Sequence, residues 1–136
     1  MTSSKFLIAV LIVTIGLANA QTDLRVAWWG SQERNDRTVK AIELFEEQNP
    51  DIDVTAEFAG WGDYWTKLST QAAGGNQPCV IQQEANALKQ YLDDGLLLPL
   101  DDFIADGTID LSNVSDVVIE LGKIDGSNYA ITLGTN

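Results

Sequence analysis

Three stretches of β-forming residues, at 24–29, 52–58 and 79–82, are each followed by a stretch whose apolar residues recur at helical spacing. That alternation constrains the chain more than anything else in it. Strand, helix and strand in succession return the chain to one sheet in the same direction, so repeated units build a mostly parallel sheet flanked by helices. The class is α/β. In the first strand Leu24, Val26 and Trp28 share a side, and Gly30 and Ser31 break it. A helix is predicted over residues 36–48, where Val39, Ile42 and Phe45 recur beside Ala41 and Leu44 until Asn49 and Pro50 stop it. The second strand, "IDVTAEF", alternates strictly, which implies one poorly covered face and a place near the sheet edge.

Asp63 is placed to cap the second helix, with Trp65, Leu68 and Ala72 inward and Gly74 and Gly75 at its end. The third helix runs to Asp94 with Gly95 at C′, and Leu88, Tyr91 and Leu92 are its inward side. Beyond Leu100 come an Asp-rich turn, a helix near residues 115–121, and a hairpin marked by Asp125 and Gly126.

In parallel sheets ligands sit beyond the carboxyl ends of the strands. The first end leads into Trp29, Gly30, Ser31, Gln32 and Glu33, and the second into Gly60, Trp61, Gly62, Asp63 and Tyr64. The third leads into Gln83, Glu84 and Asn86. Tryptophan beside amides and carboxylates suits a sugar. The apolar C–H face of a pyranose stacks on indole, and its hydroxyls both donate and accept hydrogen bonds. A phosphate would want arginine, lysine or a glycine nest, and Arg34 is the only such residue at these exits. The candidate ligand-binding residues are therefore Trp29, Ser31, Gln32, Trp61, Asp63, Tyr64, Gln83, Glu84 and Asn86. Trp28 and Trp65 are assigned to the core, and Asp63 serves equally well as a plain helix cap. Gln83 and Glu84 have the weakest structural reason to stand where they do.

The first 20 residues read as a secretory leader rather than as fold. Lys5 precedes an apolar run at residues 6–17, and Ala18, Asn19 and Ala20 form a small-x-small cleavage site. The run is too short to span ~30 Å of hydrocarbon. No cysteine follows it, so the expected product is a periplasmic protein of residues 21–136, without membrane insertion after cleavage. The formal net charge of −12 repels nucleic acid and anionic membrane, and leaves neutral or cationic ligands. With no histidine and one cysteine, zinc sites and Ser-His-Asp triads fall away, and no cofactor is implied. Cys79, after Pro78, reads as a small buried hydrophobe.

The pieces "FEEQNPDIDV", "GGNQPCVI", "YLDDGLLLPLDD" and "DGSNYAITLGTN", in this order and spacing, resemble the N-terminal part of the family 1 extracellular solute-binding proteins. These are the sugar-type receptors of ABC importers. The resemblance implies a periplasmic-binding-protein-like (type II) N-lobe, incomplete here, belonging to a non-enzymatic receptor. In such a receptor two lobes close over a sugar and present it to membrane permease subunits. It also implies that the three strand exits line the N-lobe side of the cleft, with Gln83 and Glu84 at the third. Where the family usually has an aspartate, this chain has Cys79. Family members run to several hundred residues, and the sequence stops about where the family's chain crosses toward the second lobe. It is thus expected to be a partial N-lobe. Two other readings remain: a stand-alone lectin-like exported module, and a glycoside hydrolase with two carboxylates ~5–10 Å apart.

Overall fold

The computed structural model describes residues 21–134; the expected leader and its cleavage site lie outside them. The elements are β1 (Thr22–Trp29), α1 (Gln32–Gln48), β2 (Ile52–Ala59), α2 (Trp61–Ala73), β3 (Val80–Ile81) and α3 (Ala85–Asp93), followed by α4 (Asp101–Ala105), α5 (Asp116–Glu120), β4 (Lys123–Ile124) and β5 (Ser127–Asn128). The first three strands form one parallel sheet in the order β2-β1-β3, so the alternating strand β2 does lie at an edge. Thr22 pairs with Ile52 and the register runs in phase to Trp29 with Ala59. Among the described residues no helix is long and apolar enough to cross a membrane.

In-phase pairing sorts side chains by parity, because successive residues of a strand point to opposite faces. Leu24 and Val26 of β1 and Val54 of β2 meet Ala41, Ile42 and Phe45 of α1. Trp28 lies on the same face with its ring 6.2 Å from that of Phe58. The opposite face puts Ala27 into a buried cluster with Tyr64 and Leu68 of α2 and Tyr91 of α3. Leu68, at 1% exposure, is the best-buried side chain of this core.

The second face also holds an ionic group. Arg25 donates from Nε to Glu57 Oε1 at 2.6 Å, Lys67 lies 2.6 Å from Glu57 Oε2, and Gln71 donates to the same oxygen at 2.9 Å. Arg25 also donates to the carbonyl and the side-chain oxygen of Asn76. Burial alone would raise the Glu57 carboxyl. The hydrogen bonds from Lys67, Gln71 and Arg25 outweigh that and hold it at about 2, below its ordinary 4.5. One carboxylate thereby links β1, β2, α2 and, through Arg25, the loop that enters β3.

Four sequence expectations change. Helix α1 begins at Gln32 and not at Asp36: Ser31 is its N-cap, with Oγ accepting from Arg34 N at 3.3 Å. Its first turn is wholly polar and so left no apolar periodicity to detect. Helix α2 starts at Trp61 with Gly60 as N-cap, which puts Asp63 in the first turn, where its charge suits the helix dipole, rather than at the cap. The Asp-rich turn is the short helix α4, with Asp101 and Asp102 in its first turn. Cys79 is exposed, not buried; the inward position belongs to Pro78, because only Val80 and Ile81 form β3, the other edge of the described sheet. The hairpin forms as expected. Asp125 at φ 53° and Gly126 at φ 91° join β4 to β5, and Leu100 N donates to Asn128 O at 2.8 Å to tie the hairpin to the start of α4.

Candidate functional site

The three strand ends meet around one residue that the sequence reading left out of the site. Gln82 continues β3, with its N–H donating to Ala27 O at 2.9 Å. Its side-chain Oε1 accepts from Trp29 N at 3.2 Å, and its carbonyl accepts from the Tyr64 hydroxyl at 2.6 Å. A single glutamine therefore fixes the exit of β1, the first turns of α2 and the exit of β3 relative to one another. Nothing in a linear pattern marks it, since the three partners come together only in the folded sheet.

Over this tie lies an aromatic cluster. The Trp29 ring centroid is 5.2 Å from Trp61, 5.0 Å from Tyr64 and 5.2 Å from Trp65. Trp61 meets both Trp29 and Trp65 edge-on, as interacting aromatic quadrupoles favour. Edge-on packing leaves a ring face free, and Trp61 is 51% exposed. Trp65 completes the layer against Tyr91, so its assignment to the core holds, as does that of Trp28 at 4% exposure.

The candidate residues divide into two groups. Trp29 and Trp61 are in contact, and Glu84 lines the same groove as Trp61, so these three are brought together. Glu84 is the N-cap residue of α3, yet its side chain makes no capping bond and is left for other work. Tyr64, at 2% exposure, is placed in the core beneath Trp29, its hydroxyl committed to Gln82. Burial, with Tyr91 beside it, pushes the Tyr64 phenol above its ordinary range, so it stays a neutral donor. Its four-residue spacing from Leu68 was the signal for that inward position. Ser31 and Gln32 stand at the start of α1, with Ser31 capping and Gln32 donating to Asp36 at 2.7 Å. Asp63 and Asn86 are exposed in the first turns of α2 and α3.

Gln83 is the least satisfied of the set. Both its amide atoms are shielded from solvent, and neither has a hydrogen-bond partner among the described residues. An unpaired buried polar group costs about 1–3 kcal/mol. A core position would have selected an apolar side chain there.

Below Trp61 and Glu84 an open groove of about 570 Å³ runs between α2 and α3, with Trp65, Ser69, Gln90 and Asp94 among its lining residues. The sequence reading singled out none of Ser69, Gln90 or Asp94, because each is an ordinary surface residue on its own helix.

Comparison with known proteins agrees with this architecture. A model of the family described as bacterial extracellular solute-binding proteins matches residues 40–136. A family 1 extracellular solute-binding protein of Alicyclobacillus acidocaldarius is similar at 37% identity and a TM-score of 0.75, over 82% of this chain and 28% of that one. A periplasmic oligogalacturonide binding protein of Yersinia enterocolitica, solved with saturated digalacturonic acid, matches at 33% identity and 0.71, over 79% and 26%. An ABC substrate-binding protein of Listeria monocytogenes, solved with cycloalternan, matches at 30% identity and 0.71, over 80% and 28%. The chain thus spans little more than a quarter of the length of these solved structures. With the same order of strands and helices, a family model across most of its length and relatives above 30% identity, this chain belongs to the bacterial extracellular solute-binding protein family.

Proposed function

We propose that this chain is part of the extracytoplasmic substrate-binding component of an ABC importer, and that its ligand is a sugar or oligosaccharide held between two lobes. Residues 21–136 contribute to the first lobe, and residues 1–20 serve as the cleaved leader that takes the protein to the periplasm. The protein binds and hands its ligand to membrane permease subunits; it catalyses nothing. The observation that carries this reading is Trp61, half exposed and edge-on to Trp29 and Trp65, with Glu84 in the same groove. An indole face beside a free carboxylate is what a pyranose needs: one surface for its C–H face and one acceptor pair for adjacent hydroxyls. The oligosaccharide complexes of the two relatives above support the same ligand class.

In this reading Trp61 stacks on the sugar, Glu84 and Asn86 bond its hydroxyls from the third exit, and Gln83 turns its unpartnered amide to the ligand on binding. Trp29 backs Trp61, while Ser31, Gln32 and Asp63 form the polar rim of the first two exits. Tyr64 acts from behind, by holding Gln82 and through it Trp29. Calorimetric titration of the protein with neutral mono- and oligosaccharides tests this. Saturable binding that weakens about tenfold or more in Trp61→Ala and in Glu84→Ala is expected, since each lost contact is worth about 1–3 kcal/mol. Saturable binding that both variants leave within about twofold would remove the site assignment. The absence of heat with every sugar would remove the ligand class.

A further inference from the structure

We propose that the groove between α2 and α3 extends the sugar site and takes the outer units of an oligosaccharide, so that the preferred ligand is a chain rather than a single ring. The inference rests on the sugar reading above and adds the ligand's length and path to it. Trp61, Trp65 and Ser69 are spaced four apart, and so line one side of α2. Glu84, Gln90 and Asp94 line the facing side, at and along α3.

The groove's upper end is the Trp61 and Glu84 pair at the strand exits, so it is continuous with the candidate site. From there it follows α2, whose 13 residues span about 18 Å. Its volume of about 570 Å³ falls within the ~300–1,000 Å³ of small-molecule sites, more than the mouth alone requires for one ring. The lining chemistry selects the occupant. Indoles alternate with hydroxyl, amide and carboxylate groups, which matches a hydroxylated chain and interrupts the continuous apolar stripe that a docking helix would need. No cation lines the groove while Glu84 and Asp94 do, so the chain is uncharged.

The test is calorimetric titration of the full chain with matched neutral disaccharides and hexasaccharides of glucose and of mannose. The hexasaccharide of the binding series should bind about tenfold or more tightly than its disaccharide, a difference of about 1.4 kcal/mol. Ser69→Tyr, which fills the groove midway, and Gln90→Ala, which removes a hydrogen-bonding group without adding bulk, change residues that are exposed in the unliganded fold. Both should lower hexasaccharide affinity to near that of the disaccharide, and leave disaccharide affinity and melting temperature unchanged. Equal affinity for both lengths in the unmodified protein, or a length preference that survives both substitutions, overturns the groove while the sugar reading stands. Binding of neither length overturns both.

Discussion

The two faces of the sheet are built on different principles. Toward α1 the contacts are apolar and incomplete: Leu24, Val26 and Val54 meet Ile42 and Phe45, and Phe45 is still 40% exposed. Toward α2 and α3 the sheet carries a tight core around Leu68, an aromatic layer that reaches solvent at Trp61, and the Glu57 ionic group. The first face does no more than hold a helix. The second both holds helices and fixes the geometry of the strand ends, because Arg25, Glu57, Tyr64 and Gln82 all constrain segments that lead into them. Polar groups were tolerated inside this face where they position the site, and each ion in it is paired, as burial of charge demands.

Substitutions should expose that asymmetry. The largest effect is expected for Leu68→Ala, a loss of about 2–5 kcal/mol in denaturant unfolding. Phe45→Ala on the other face removes a larger but half-solvated side chain and should cost only about 1–2 kcal/mol. Equal losses would mean that the two faces are equally packed. Glu57→Gln should cost about 1–3 kcal/mol at neutral pH by leaving Arg25 and Lys67 without their carboxylate. Because the folded carboxyl titrates near 2 instead of 4.5, its contribution is complete above about pH 4.5 and is lost as pH falls toward 2. Unfolding curves of the two proteins should therefore converge over that window, and a constant gap would show that Glu57 is not held this way. Gln82→Ala should cost about 1 kcal/mol of stability and weaken sugar binding about tenfold, since it frees Trp29 and Tyr64 together. Cys79→Ser, at an exposed loop position, should stay within about 0.5 kcal/mol.

Much of this fold was legible because it depends on local pattern. Strand-helix alternation, the edge character of β2, the Gly95 stop and the Asp125-Gly126 hairpin all rest on residues within a few positions of one another. The failures have two physical sources. A polar first turn, as in residues 32–35, carries no apolar period, so only Ser31 could announce the helix. Cys79 was judged by its apolar neighbours, yet its exposure follows from how few residues of β3 join the sheet. The exits were legible as a class, since every strand end in a parallel sheet is a potential site. Which of their side chains face outward was not: Tyr64 turned into the core, while Gln82 joined the tie from outside the chosen set. Both outcomes depend on how β1, β3 and α2 converge.

The central claim is that the ligand sits on the strand-end, α2-facing side of this lobe and leaves the α1 face untouched. Amide hydrogen exchange, with and without a saturating neutral oligosaccharide, reports on both sides in one experiment. Slowed exchange is expected at residues 60–65 and 82–87, with residues 38–48 of α1 unchanged. Protection concentrated on residues 38–48, with the strand exits unaffected, would contradict the account.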